Sequence, residues 1–188
     1  MSWWRWVAGA AACLALLSGC SGGGSPTGSG GAPASGWKVA CPHPSGKTVA
    51  RDFDASLPCL SGGKDYRLGA TGGKPLVVSL WASWCRPCRA EAPALEAAHR
   101  DLGDRLRVVG VNSQDDRGAA LAFAEEARWH FPSVFDKNAE VMHDRGLTTL
   151  PAIFLVNADG VTVHTIRDSD LTSKKLKAAI GEYLKVRE

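Results

Sequence analysis

Leu76-Val77-Val78-Ser79-Leu80-Trp81-Ala82-Ser83-Trp84-Cys85-Arg86-Pro87-Cys88-Arg89 decides how this chain folds. The apolar run at 76–82 has the length and β-branched content of a buried strand, and the Ala- and Glu-rich run from Arg89 to about Asp101 has the composition of a helix. A Cys-x-x-Cys at such a junction has both sulfurs close enough to close a small disulfide ring, and it puts the first thiol at a helix N-terminus. There the unpaired amides and the positive end of the helix dipole favour a thiolate over a thiol, and the neighbouring Arg86 guanidinium adds to that. The thiolate is the attacking species in disulfide exchange, so the spacing predicts redox chemistry at Cys85 and Cys88. Half of a zinc ribbon, or a structural disulfide, would use the same spacing. Zinc would want a second closely spaced Cys or His pair, and none follows Cys88.

The chain has 188 residues, long enough for one well-buried core, and a net charge of +3, too small and too scattered to argue for nucleic acid. Its six cysteines are more informative. Residues 1–19 have the pattern of an export signal: Arg5 is the only positive side chain, residues 7–17 are apolar, and the segment is short for a membrane span. Trp3, Trp4 and Trp6 beside Arg5 suit a membrane interface. The segment ends in Leu17-Ser18-Gly19-Cys20, which resembles the lipobox of bacterial lipoproteins. That resemblance implies cleavage before Cys20, loss of Cys13, and a lipid-modified Cys20 whose acyl chains anchor the protein to the membrane. An ordinary signal peptide or an uncleaved anchor is the competing reading. Residues 21–36, almost all Gly, Ser, Pro, Ala and Thr, cannot bury enough apolar surface to fold, so 20–36 is expected to be a tether. It would span about 20–24 Å and leave 37–188 as the folded domain.

Cys41, Cys59, Cys85 and Cys88 remain in that domain. With Cys85 and Cys88 assigned to each other, Cys41 and Cys59 are left in a compartment that permits disulfides. Both lie in Pro-, Gly- and Ser-rich stretches that a structural cross-link would stabilise; a second redox pair relaying electrons is the alternative. A short strand is expected over 64–68, then the strand at 76–82 and a helix carrying Pro93, which should kink it. A second parallel strand follows over 106–111, a helix over 115–129, a strand over 132–135 and a helix over 139–144 stopped by Gly146. Residues 149–156 form a strand opened by Pro151; Asn157-Ala158-Asp159-Gly160 turns into an antiparallel strand over 161–166, and a helix capped by Thr172 or Ser173 covers 171–186. This βαβαβαββα order predicts an α/β fold, a central mixed sheet with helices on both faces.

Trp84-Cys85-x-Pro87-Cys88 with Arg89, Glu91 and Pro93, then Leu150-Pro151 and Asn157-Ala158-Asp159-Gly160 before a closing helix, resemble the thioredoxin fold. More narrowly they resemble its extracytoplasmic TlpA/ResA-like branch, whose additional strand and helix match 114–136. The resemblance implies that Cys85 is the exposed nucleophile and Cys88 the buried resolving thiol, with no bound cofactor beyond their own disulfide. Pro87 takes an early helical position, Trp84 shields one side of the site, and Pro151 is a cis-proline that brings the Leu150 backbone beside Cys85 to pair with an extended substrate. A trans proline at a strand start is the plain alternative. The resemblance further implies an extracytoplasmic, membrane-anchored reductase of exported protein thiols, such as those of apocytochrome c, recharged by a membrane thiol transporter of the CcdA type.

Two departures bear on mechanism. Ser79 stands where cytosolic thioredoxins have a buried aspartate and cannot accept the proton that Cys88 must lose, which leaves Glu91, one helical turn past Cys88. A first-turn acid favoured by the helix dipole is the equal alternative for Glu91. Arg86 replaces a neutral or acidic residue, and a cation there makes the disulfide more oxidising. An oxidase is therefore the second functional reading, and a non-enzymatic copper- or peptide-binding module is a third, from another class. The Cys-x-x-Cys spacing and Pro151 stand against copper, so no metal site is expected. His43, His99, His130, His143 and His164 are expected to be surface or packing residues.

Overall fold

Strand formation at the hydrophobic run extends over Leu76–Trp81, every residue of it buried, as a strand covered on both faces must be. The computed structural model describes residues 36–42 and 49–187, all within one unit, Ala32–Glu188. The expected leader at 1–19, Cys20, all but the last residue of the tether, and His43 lie outside the described residues. In chain order the elements are β1 (Ser56–Leu57), β2 (Tyr66–Arg67), β3 (Leu76–Trp81), α1 (Arg86–Leu102), β4 (Arg107–Ser113), α2 (Arg117–Glu126), β5 (Ser133–Asp136), α3 (Glu140–Asp144), β6 (Ala152–Val156), β7 (Thr162–Ile166) and α4 (Ser173–Ala179). A five-stranded sheet has the order β5-β4-β3-β6-β7, with β3, β4 and β5 parallel and β6 antiparallel to both β3 and β7.

The alternation of side chains along β3 divides the interior into two cores. Val77 and Trp81 face α1 with Leu95, Ala98, Val108, Phe123, Trp129, Ile153 and Leu155, whereas Leu76, Val78 and Leu80 face the opposite side with Phe53, Tyr66, Val109, Val111 and Phe154. Trp81 centres the first core, its ring centroid 4.7 Å from Trp129 and 5.5 Å from Phe123, and its indole N–H donates to Ser133 Oγ at 3.0 Å. Gly110 lies beneath this contact, where an added Cβ would come within 2.7 Å of the Trp81 indole nitrogen.

Several boundaries differ from expectation for local reasons. α1 begins at Arg86, three residues before the Ala- and Glu-rich run, and holds Pro93 within its 17 residues. α2 starts at Arg117 because Asp116 caps it, its Oδ1 accepting Ala119 N–H at 2.9 Å, and it ends where Arg128 turns to φ 54°. The last helix is regular only to Ala179 and continues as a wider π turn over Ile180–Leu184. β1 has no counterpart in the sequence reading, since two residues carry no periodicity. The segment after it closes one edge of the sheet: Phe135 N–H donates to Pro58 O and Leu60 N–H to Ser133 O, each at 2.8 Å. The Cys41–Cys59 disulfide, with 5.9 Å between Cα atoms, fastens residues 36–42 to that edge.

Candidate active site

Cys85 is the N-cap of α1, in extended backbone conformation, and its sulfur accepts the N–H of Cys88 at 3.3 Å. Pro87 occupies the first turn, where its missing N–H leaves no gap in the helical ladder. Cys85 and Cys88 are joined in a disulfide with 5.3 Å between Cα atoms. The expectation of an exposed Cys85 needs correction: it is 4% exposed, scarcely more than Cys88 at 2%, because both sulfurs belong to the core under α1. The exposed members of the motif are Trp84, at 61%, and Arg86. The Trp84 indole N–H donates to Gln114 O at 2.9 Å, so the ring leans on the β4–α2 loop.

The Leu150–Pro151 peptide bond is cis. Because Ala152 is in register with Leu80, the bond lies at the end of the sheet from which β3 leads to Cys85, and Leu150 packs against the core that contains both active-site sulfurs. Arg167 donates to the Thr149 carbonyl at 3.2 Å and ties the end of β7 to the same loop. Glu91, one turn along α1, is buried at 2% exposure. Burial, and next the negative charge of Asp168, push its pKa up to about 7. Asp168 keeps its own charge because a hydrogen bond from Lys175, 2.9 Å away, holds it below the usual carboxylate range.

The redoxin family model matches residues 44–180 of the chain. A thioredoxin-like protein of Bacillus subtilis, YneN, is 32% identical over 127 residues, 66% of this chain and 73% of that protein. A thiol:disulfide interchange protein DsbE homolog of Paracoccus denitrificans is 38% identical over 112 residues, 59% of each chain. The chain belongs to the redoxin family. A secreted disulfide oxidoreductase of Mycobacterium tuberculosis, homologous to Escherichia coli DsbE, superposes with a TM-score of 0.64 over 70% of this chain and 97% of its own; at 22% identity it shows the shared thioredoxin fold alone. This redoxin is a thiol-disulfide oxidoreductase of the TlpA/ResA-like kind, with its Cys-x-x-Cys pair at bonding distance.

Around the dithiol the redoxin carries Arg86, exposed and with no hydrogen bond or ion pair among the described residues, and Arg89, which is occupied by Glu126 at 2.8 Å and lies over the Phe123 ring. Ser79 is buried in the middle of β3, paired in register with Gly110 and Ile153. Asp115 escaped the sequence reading. Its carboxylate accepts hydrogen bonds from the Ser83 backbone and hydroxyl, from Asn112 Nδ2 and from Asp116 N–H. Its only signal in the sequence is a polar run, Asn112 to Asp116, at the sheet end that faces Cys85. Among the described histidines, His130 pairs with Glu96 at 2.7 Å, His164 stacks on Tyr183, and burial lowers the pKa of His99. Among the described residues no group of three or more His, Cys, Asp or Glu side chains could hold a metal ion.

Proposed function

We propose that this redoxin is a membrane-anchored, extracytoplasmic reductase of exported protein disulfides. The observation that carries the proposal is the pairing of Cys85, an N-cap residue whose sulfur accepts an amide of its own helix, with a near-neutral, buried Glu91 on that helix. In the reduced enzyme the Cys85 thiolate attacks one sulfur of a partner disulfide; the partner's other sulfur leaves as a thiolate and a mixed disulfide forms. Cys88 then loses its proton to the Glu91 carboxylate and attacks Cys85, which breaks the mixed disulfide and releases the second partner thiol. Two electrons pass to the partner, its two sulfurs take up protons, and Cys85 and Cys88 end bonded. Burial of Cys88 protects the pair from other oxidants, and the Leu150 backbone is the expected docking edge for an extended partner segment.

Apocytochrome c thiols are the substrate class that the TlpA/ResA-like kinship favours, with a CcdA-type thiol transporter as electron donor and a lipid on Cys20 as the anchor. An oxidase is the second reading, supported by the Arg86 cation beside Cys85, without an ion-pair partner among the described residues, which favours the thiolate and raises the potential. A redox titration against glutathione and thioredoxin buffers separates them. A potential near the thioredoxin value of about −270 mV supports the reductase, and one toward about −120 mV refutes it in favour of the oxidase. Cys88→Ser should arrest the cycle at the mixed disulfide and so identify the partner.

A further inference from the structure

Asp115 stands at the junction of β4 and α2 and is not needed to cap the helix, a role Asp116 fills. Instead its carboxylate gathers hydrogen bonds from Ser83 N–H, from Ser83 Oγ at 2.8 Å, from Asn112 Nδ2 at 2.8 Å and from Asp116 N–H at 2.9 Å. Asn112 is fully buried, and while its amide nitrogen serves Asp115 its carbonyl oxygen has no donor among the described residues. Leaving a buried acceptor unpaired is unfavourable, and an apolar residue there would avoid it; the side chain is explained by what it does for Asp115. The residue before Asp115, Gln114, adopts φ 50° and accepts the Trp84 indole N–H at 2.9 Å. One loop thus holds both residues that precede Cys85, Ser83 by its backbone and Trp84 by its ring. The turn it holds also contains the bond from Cys85 N–H to Ala82 O at 3.1 Å, and it leads into the Cys88 N–H contact with the Cys85 sulfur.

We propose that Asp115 is a positioning residue for thiol-disulfide exchange: by fixing Ser83 it keeps the Cys85 sulfur on the Cys88 amide at the start of α1. Asp115 acts through Ser83, which itself precedes the cysteine by two positions. The inference rests on the assignment of Cys85 as nucleophile. The charged and titratable side chains around Cys85 include Arg86, Cys88, Arg89 and Glu91 on α1, Asp115 and Asp116 on the β4–α2 loop, Arg117 at the start of α2, and Arg167 and Asp168 on the β7–α4 connection, so the test must separate geometry from charge. Losing the carboxylate as a charge would make the Cys85 thiolate easier to form, whereas losing it as a latch would make it harder.

The reduced full-length protein and its Asp115→Ala, Asp115→Asn and Ser83→Ala variants would be alkylated with iodoacetamide across pH and assayed for reduction of insulin. The expected result for Asp115→Ala is a midpoint of Cys85 alkylation about half a pH unit higher, the scale of a helix N-terminus acting on a nearby charge, with insulin reduction about threefold slower at neutral pH. Asp115→Asn, which keeps one acceptor oxygen, should fall between it and the parent. An unchanged or lowered midpoint in Asp115→Ala overturns the inference, whatever happens to thermal stability. If that variant fails to fold, Ser83→Ala must raise the midpoint by a smaller amount, and no change there overturns it equally. A parent protein that reduces no insulin at all, with a normal alkylation profile, refutes the assigned exchange chemistry instead.

Discussion

Replacing Glu91 with Gln isolates the cost of keeping a carboxyl under α1. The folded group titrates at about 7 against an ordinary 4.5 because burial and the Asp168 charge disfavour its ionised form. The folded protein therefore binds the Glu91 proton more tightly than the unfolded chain. Stability is unaffected below about pH 4.5, falls as pH rises toward 7, and above that carries the full cost. At 1.36 kcal/mol for each pH unit the difference has an upper bound of about 3 kcal/mol, and some solvent contact of the carboxylate reduces it to about 2–3. Urea unfolding of the oxidised protein should show Glu91→Gln more stable than the parent by that amount at pH 8, with the advantage gone at pH 4.5. Reduction of insulin should respond oppositely, slowing by about a hundredfold at neutral pH if Glu91 takes the Cys88 proton. Asp168→Asn should move the stability transition of the parent to lower pH, since it removes the like charge. An advantage for Gln that is the same at pH 4.5 and pH 8 would refute the near-neutral carboxyl. A stability gain without loss of exchange rate would refute only its role as proton acceptor.

Two further predictions concern the scaffold. Removing the outer disulfide with Cys41→Ala and Cys59→Ala should lower the urea-unfolding free energy by about 3 kcal/mol, the chain-entropy scale for so short a loop, while the Cys85 alkylation profile stays in place; a shifted profile would mean that the outer pair takes part in the chemistry. Gly110→Ala should destabilise by about 1–3 kcal/mol, because its Cβ would press on Ser133 Oγ at 2.6 Å and on the Trp81 indole nitrogen at 2.7 Å, both in tightly packed surroundings. Thermal unfolding measures it, and an unchanged midpoint would show that this corner of the core can yield.

Where the sequence reading succeeded, a strong periodic signal and a local chemical signal coincided. The run at 76–82 and the Cys-x-x-Cys with Pro87 fixed β3, the start of α1 and the redox pair together, and Pro151 followed by an apolar run fixed β6. Ends of helices were less legible because they depend on partners distant in the chain. Asp115 looks like a first-turn acid of α2, yet its carboxylate is spent on Ser83, 32 residues earlier, so the cap falls to Asp116. The exposure of Cys85 was misjudged for a related reason. Helix-start placement says which sulfur is the better thiolate, but how deep that sulfur lies depends on the packing of the core under α1, which no local pattern encodes.

The departure at Ser79 has a geometric consequence. A proton acceptor on β3 would be held by a strand hydrogen-bonded on both sides, at a fixed distance from the sheet whatever the dithiol does. With Glu91 as the proposed acceptor, the acid would lie on the helix that Cys85 caps and Cys88 belongs to, so that any adjustment of α1 on cleavage of the disulfide would carry acceptor and donor together. That placement would also hand control of the acid to the β7–α4 connection. Arg167 there binds the Thr149 carbonyl of the Pro151 loop, and its neighbour Asp168 raises the Glu91 pKa. Two consecutive residues thus reach the expected docking edge and the expected proton acceptor. If displacement of Arg167 from Thr149 also shifts its neighbour Asp168, which Lys175 holds at 2.9 Å, docking would be coupled to the readiness of Glu91 to take up a proton. Arg167→Gln, which frees the Thr149 carbonyl in advance, should therefore tighten partner binding and shift the pH dependence of exchange, and a change in binding alone would separate the two.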